Sequence, residues 1–398
     1  MNERSNSPPS VMLFLPDLFG GGAERAVINL LKSWMEVDFF VKPVLVLRRK
    51  AGPYLSDLPI EVEVIELGTE RSGLKASLIT VLKLAMLLRR QRPIAIVSFL
   101  SHPSIVFARI LSGVSCKVFA SIQNPVVIGG SDLTRGIFRK AVWKIKRGIV
   151  AFSFHRTDLF FPISAGIGKE LQDVFGVGSS AVKLVPNSVE IPTGLNEIQV
   201  PAVISQIREQ DFSVLVTAGR LVRQKAYDVL IKAMLIVKQH GVKAKLVILG
   251  DGELRDSLRA EVEKCGLESD VFFVGFQSQP SSFFVHADLF VLASRYEGFG
   301  NVIIEAMSCG CPVVSTDAPY GPSDILMDSE FGLLVPTERP DLLAAGIERM
   351  LADENMRTCY ASRGNDRANV YRREAIFMQF IKHVEEGAGV KILRSNEI

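Results

Sequence analysis

Short unbroken runs of Val, Ile, Leu and Phe recur from one end of the chain to the other, and each is followed by a longer stretch with helical spacing. The runs are Val11 to Leu15, Val41 to Leu47, Val62 to Leu67, Ala95 to Leu100, Val118 to Ser121 and Leu159 to Pro162, then Ser213 to Ala218, Ala244 to Leu249, Val271 to Val274, Asp288 to Leu292 and Pro312 to Ser315. They do not alternate with polar residues, so as strands they are buried on both faces. Helices of roughly 12 to 18 residues between them make neighbouring strands parallel. This is the doubly wound α/β architecture. The 398 residues, 48% hydrophobic, exceed one such domain and suit two of roughly 150 to 200 residues. Pro186, Pro192, Thr193, Gly194 and Pro201 break any period, which places the boundary between Pro186 and Asp211 and the two domains over 1–190 and 200–373. A last helix, Ala375 to Glu386, turns Ile376, Phe377, Phe380, Ile381 and Val384 to one side, so that face is buried.

The net charge of +3 hides an asymmetry, since residues 1–190 carry an excess of base and the remainder an excess of acid. Residues 103–157 hold Arg109, Lys117, Arg135, Arg139, Lys140, Lys144, Lys146, Arg147 and Arg156 against a single acid, Asp132. One half is built to meet negative charge. Cys116, Cys265, Cys309, Cys311 and Cys359 form no CxxC pair and no cluster with histidine, which fits a reducing compartment and gives no metal site. Met1 to Ser10 lacks the apolar core of a signal peptide, and the uncharged stretch Pro93 to Ala108 is too short to cross a bilayer. A cytoplasmic location is the expectation.

The residues that carry chemistry lie where strands pass into helices. Glu297-Gly298-Phe299-Gly300-Asn301-Val302-Ile303-Ile304-Glu305 links the run ending at Ser294 to a helix that stops at Gly310. A helix N-terminus at a strand end offers free N–H groups and a favourable dipole to an anion, and glycine lets the backbone approach it. Glu297 in the loop and Glu305 about one turn into the helix can hold hydroxyls at two ends of a ligand whose phosphates rest between them. That pattern suits a nucleotide sugar. The Val214 to Ala218 strand is followed by Gly219, Arg220 and Lys225, with the guanidinium fork and the ammonium point charge placed to close on a diphosphate. Gly20-Gly21-Gly22-Ala23-Glu24-Arg25 feeds another helix and is anion-friendly, although it is not a GxGxxG dinucleotide fingerprint. Leu249-Gly250-Asp251-Gly252-Glu253 reads equally as a ligand turn or as a structural turn with glycine at positive φ.

Taken in order with Val185-Pro186-Asn187-Ser188-Val189 and Ala306-Met307-Ser308-Cys309-Gly310-Cys311-Pro312-Val313-Val314, these segments resemble the retaining glycosyltransferases of family 4 over nearly the whole chain. The resemblance implies a GT-B fold, two facing Rossmann-like domains with an interdomain cleft, the first binding acceptor and the second donor, with helix 374–398 packing back on the first. It implies that Arg220 and Lys225 meet the donor diphosphate, Glu305 the ribose and Glu297 the transferred sugar. The Gly298-Phe299-Gly300-Asn301 backbone would meet phosphate and sugar, Gly21 and Gly22 the diphosphate, and the Gly275-Phe276 turn the base. Two positions depart from the family pattern. Ala226 stands where Lys-Gly-x-Asp has glycine, and the family's first-domain histidine is replaced near Gln123 and Asn124, with His102 as another acceptor-side candidate.

The expected reaction is retaining transfer of a hexose or N-acetylhexosamine from a UDP-linked donor, with guanosine donors an alternative, to a lipid-linked or other cell-envelope glycan. No metal or cofactor is expected, because Arg220, Lys225 and backbone N–H groups can stabilise the leaving diphosphate. Arg135, Arg139, Lys140, Lys144, Lys146 and Arg147 beside Trp143 suit a segment lying on an anionic membrane surface, hence a peripheral protein on the inner leaflet. No nucleic-acid motif accompanies the charge. The rival readings are a nucleotide-sugar epimerase or hydrolase of the same fold and a non-catalytic nucleotide-sugar-binding subunit.

Overall fold

A computed structural model describes residues 9–19, 21–69, 73–126 and 137–394, without the side chains of 137–143 and 196. The chain divides into two compact units, one of residues 1–188 and 373–398 and the other of Val189–Arg372.

In the first unit β1 (Ser10–Leu15), α1 (Gly22–Met35), β2 (Lys42–Leu47), β3 (Glu63–Glu66), α2 (Leu74–Gln91), β4 (Ala95–Ser98), α3 (His102–Ser112), β5 (Lys117–Ile122), α4 (Ile137–Phe154), β6 (Leu159–Pro162) and α5 (Ala165–Phe175) follow one another. The second continues with α6 (Ala202–Glu209), β7 (Ser213–Ala218), α7 (Tyr227–Gln239), β8 (Ala244–Leu249), α8 (Arg255–Lys264), β9 (Val271–Gly275), α9 (Ser281–Phe284), β10 (Leu289–Leu292), α10 (Asn301–Ser308), β11 (Val313–Thr316), α11 (Pro322–Leu326), β12 (Leu333–Val335), α12 (Pro340–Ala352) and α13 (Glu354–Asn369). The closing helix α14 (Arg373–Ala388) belongs to the first unit.

Each unit holds a six-stranded sheet, in the orders β3-β2-β1-β4-β5-β6 and β12-β11-β10-β7-β8-β9. Every pairing is parallel. From its own first strand each sheet has the same order, so each has a switch point where the direction of winding reverses, between β1 and β4 and between β7 and β10. Strands flanked on both sides, such as β1 and β8, are buried along their full length, which is why their sequences run apolar without alternation.

The α14 face named above is buried in the first unit. Phe377 meets Trp34 of α1 at 6.0 Å between ring centroids, and Phe380 meets Phe161 edge-on at 5.5 Å. Gly387 lies so close to the sheet that a Cβ would fall 2.4 Å from Leu159 Cδ1. Each fully buried side chain of this face contributes roughly 1.5–3 kcal/mol.

Candidate functional site

The charged residues gather at the C-terminal edge of the second unit's sheet. Beyond β7 the chain leaves through Gly219 (φ +152) and Arg220 into a single 3-10 turn, Arg223–Lys225, before α7. Beside it Gly250 (φ +146) passes so near that a Cβ would lie 1.9 Å from the Gly219 carbonyl oxygen, and one on Gly252 would lie 2.6 Å from that of Leu221. Leu221 N donates to Asp251 O at 2.9 Å and Leu254 N to Leu221 O at 3.0 Å. The Leu249 to Glu253 turn is thus a backbone buttress for the Arg220 loop, and its glycines serve close approach.

Lys225 and Glu297, assigned by the sequence to different parts of a ligand, touch each other. Lys225 Nζ donates to Glu297 Oε1 at 2.6 Å, and the same oxygen accepts from Ser294 Oγ at 2.6 Å. Glu297 is 5% exposed, and a carboxylate buried to that degree costs several kcal/mol unless it is paired. Lysine and serine provide the pairing. Glu297 Oε2 makes no hydrogen bond among the described residues. Arg220 is exposed on the same loop, and its guanidinium makes no hydrogen bond or ion pair among the described residues. Tyr227, buried under the loop, donates its hydroxyl to Gly219 O at 3.1 Å; burial, and then the Glu297 charge, push its phenol well above the ordinary value.

A second network, absent from the sequence reading, fixes the two loops together. Arg295 forks onto Asp228, Nη1 to Oδ1 at 3.0 Å and Nη2 to Oδ2 at 2.7 Å, donates to the Arg223 carbonyl at 2.7 Å and pairs with Glu338. Its backbone N–H donates to Gln224 O at 2.8 Å, and Gln224 Nε2 returns a bond to Tyr296 O at 2.9 Å. Burial acts to raise the Asp228 carboxyl, yet the hydrogen bonds and charge of Arg295 hold it below the ordinary value. Such bidentate pairs fix geometry as well as adding energy. The one signal for this network in the sequence is Asp228 three places after Lys225. Ala226, between them, sits in the left-handed region at φ +50, ψ +40, where glycine is at ease and an L-residue is strained by roughly 1–2 kcal/mol.

The rest of the Glu297 to Glu305 segment folds around the start of α10. Phe299 is buried and packs edge-on against Tyr371 at 5.4 Å, while Gly300 (φ +101) turns the chain into the helix. Gly321 presses on this loop, since a Cβ there would lie 2.0 Å from Phe299 O. Gly298 is buried, Asn301 is the first residue of α10, and Glu305 is half-buried in its second turn. Gly275 (φ +78) closes β9, and Phe276 after it is exposed.

In the first unit Gly20 lies outside the described residues. Gly21 is the N-cap of α1 in extended backbone, with the Glu24 carboxylate folded over it, and Gly22 is the helix's first residue. The acceptor-side candidates part company. His102 opens α3 as a buried residue with both ring nitrogens engaged, Nδ1 with Ser98 Oγ and Nε2 with Thr157 Oγ1, each at 2.7 Å. Burial lowers its pKa to about 4, so the ring is a neutral packing element rather than a group facing an acceptor. Gln123 is also buried, donating to Ser121 Oγ at 2.7 Å and accepting from Asn187 Nδ2 at 3.0 Å, which explains Asn187 in the Val185 to Val189 segment. Asn124 is exposed. Of the basic segment, Arg135 lies outside the described residues, as do the side chains of Arg139, Lys140 and Trp143; Lys144, Lys146 and Arg147 are exposed on α4.

Residues 203–367 match the family described as glycosyl transferases group 1. The chain is 28% identical over 376 residues, 94% of its length and 98% of the relative's, to the N-acetylgalactosamine-N,N'-diacetylbacillosaminyl-diphospho-undecaprenol 4-alpha-N-acetylgalactosaminyltransferase of Campylobacter jejuni. It is 38% identical over 167 residues to the lipopolysaccharide core biosynthesis glycosyltransferase LpsE of Rhizobium meliloti, covering 42% of this chain and 48% of that one. Among solved structures it is similar to HepE of Anabaena in complex with UDP, with a TM-score of 0.74 and 21% identity over 95% of this chain and 100% of that one.

Proposed function

We propose that the chain, which has the two-domain GT-B fold and matches the group 1 glycosyltransferases over residues 203–367, is a member of that family and transfers a hexose or N-acetylhexosamine from a UDP-linked donor to a lipid-linked saccharide, with retention and without a metal. The observation that carries this reading is the pairing of Lys225 with Glu297 beside Arg220, whose guanidinium has no partner among the described residues, at the end of β7. Arg220 and the remaining N–H groups of Lys225 meet the donor diphosphate. Glu297 Oε2 accepts a hydroxyl of the transferred sugar, Glu305 holds the ribose, and Phe276 lies by the base. The C1–O bond to the diphosphate breaks as the acceptor oxygen bonds to C1 on the same face. The acceptor's proton passes to the departing phosphate oxygen, and the negative charge that builds there is stabilised by the two cations. No protein base is required, which accords with the burial of His102 and Gln123.

UDP is favoured because HepE is a UDP complex, and a lipid-linked acceptor because the Campylobacter relative is named for a diphospho-undecaprenol saccharide. The exposed Lys144, Lys146 and Arg147 then attach the protein peripherally to an anionic inner leaflet, near such an acceptor. The test is a thermal-shift and turnover panel of UDP- and GDP-sugars with and without a lipid-linked acceptor extract. Stabilisation by a UDP-sugar with acceptor-dependent release of UDP is the expected result. Donor loss without acceptor would favour an epimerase or hydrolase, and binding without turnover a non-catalytic subunit.

A further inference from the structure

We infer that the outer face formed by α2, α3 and α4 inserts into an anionic lipid surface, with α2 supplying the apolar wedge. The inference rests on the lipid-linked acceptor reading and extends the membrane contact beyond the basic segment of α4.

Leu74, Leu78, Leu82 and Met86 stand at a spacing of four along α2 and are 93%, 61%, 45% and 60% exposed. The other side of the same helix buries Leu84, Ala85 and Leu88 in the core of the first unit. A helix that is apolar on both sides ordinarily lies inside protein or lipid, yet here nothing described covers the outer stripe. The surface continues sideways. α2 packs on α3 and α3 on α4, and Phe107 of α3 stacks on Phe152 of α4 with centroids 5.7 Å apart, both rings partly exposed. Ile145 and Ile149 of α4 are exposed as well. Exposed apolar residues gathered on three adjoining helices mark a docking face.

Charge identifies the occupant. The sequences of α2, α3 and α4 contain no Asp or Glu, while Lys75 and Arg90 of α2 and Lys144 and Lys146 of α4 are exposed. By contrast α1 carries Glu24 and α14 carries Glu374, Glu385 and Glu386. A two-fold dimer through the α2–α4 face would set this uniformly basic surface against itself. An anionic bilayer accepts both features, taking leucine into its interface and lysine onto its headgroups. None of the described helices is long and apolar enough to cross the membrane, so the contact is a lying one.

The two parts of the contact respond differently to salt. Headgroup attraction is screened within about 3 Å at about 1 M salt, whereas apolar insertion is not. The full chain is therefore sedimented with phosphatidylglycerol/phosphatidylcholine vesicles at low and at about 1 M NaCl, alongside L78Q/L82Q, L78E/L82E and K144E/K146E. Wild type should keep a salt-resistant fraction of its binding. Both leucine variants should weaken that fraction at least tenfold, while K144E/K146E should chiefly lose the low-salt enhancement. Thermal shift by UDP, read in parallel, should be unchanged in all of them, and its failure in wild type would count against the donor reading alone. Salt-resistant binding that is equal in wild type and leucine variants overturns the inference. So does a dimer in ultracentrifugation that L78Q/L82Q dissolves with vesicle binding intact.

Discussion

The two sheets share one strand order but use their polar residues in opposite ways. In the first unit the histidine and glutamine that draw the eye in the sequence are tied into the interior, His102 between Ser98 and Thr157 and Gln123 between Ser121 and Asn187. In the second unit the polar residues stand at the end of the sheet, where Arg295 locks two loops together and Lys225, Glu297 and Arg220 present charge. A common topology does not distribute function. The loops at the strand ends and the outer faces of the helices do so.

If that contrast is right, damage to the first unit's interior should appear as lost stability. The largest expected effect is from Phe380→Ala, which removes a ring packed against Phe161 and Phe99 and should cost about 3–5 kcal/mol in chemical denaturation. Donor affinity measured on the remaining folded protein should be preserved, and a selective loss of UDP binding would break the contrast. His102 gives a pH signature. Its folded pKa of about 4 lies below the unfolded value near 6.5, so the unfolded chain takes up a proton first as pH falls. The stability it contributes is present above pH 6.5 and is lost between about 6.5 and 4, to an extent of about 3 kcal/mol. His102→Asn should flatten that stretch of the stability–pH curve; an unchanged slope would show that the ring titrates normally.

In the second unit the expected damage is to activity. Arg295→Ala removes the fork on Asp228 and the bond to the Arg223 carbonyl, freeing the Lys225 loop. It should lower kcat about tenfold, equal to about 1.4 kcal/mol, with a smaller rise in donor KM. Arg295→Lys, which keeps charge but not the fork, should recover only part. Equal rates for all three proteins would remove Arg295 as a positioning residue. The smallest effect is expected from Ala226→Gly, where relief of the left-handed strain is offset by the extra freedom of glycine in the unfolded chain. A change of stability within about 1 kcal/mol, of either sign, is anticipated in thermal denaturation.

The strands and their windings were legible because a doubly buried strand writes itself as a continuous apolar run. Leu333–Val335 escaped because three residues between Gly332 and Pro336 carry too little pattern to separate a short edge strand from a loop. The loop positions of Arg220, Lys225, Glu297 and Glu305 were also legible, since strand-to-helix passages are marked by glycine. Their contacts were not. Lys225 meets Glu297 and Arg295 meets Asp228 across 72 and 67 residues of chain, and no local period records a pairing at that range. His102 misled for a related reason: its type suggests chemistry, while its partner Thr157 lies 55 residues away.

The account turns on the cations at the end of β7, and the most direct measurement is steady-state transfer from the preferred UDP-sugar by wild type, Arg220→Ala and Lys225→Ala. Each substitution is expected to lower kcat by at least about tenfold, a barrier rise of about 1.4 kcal/mol or more, while the protein stays folded. Rates near wild type for both would contradict the account and move the diphosphate site elsewhere.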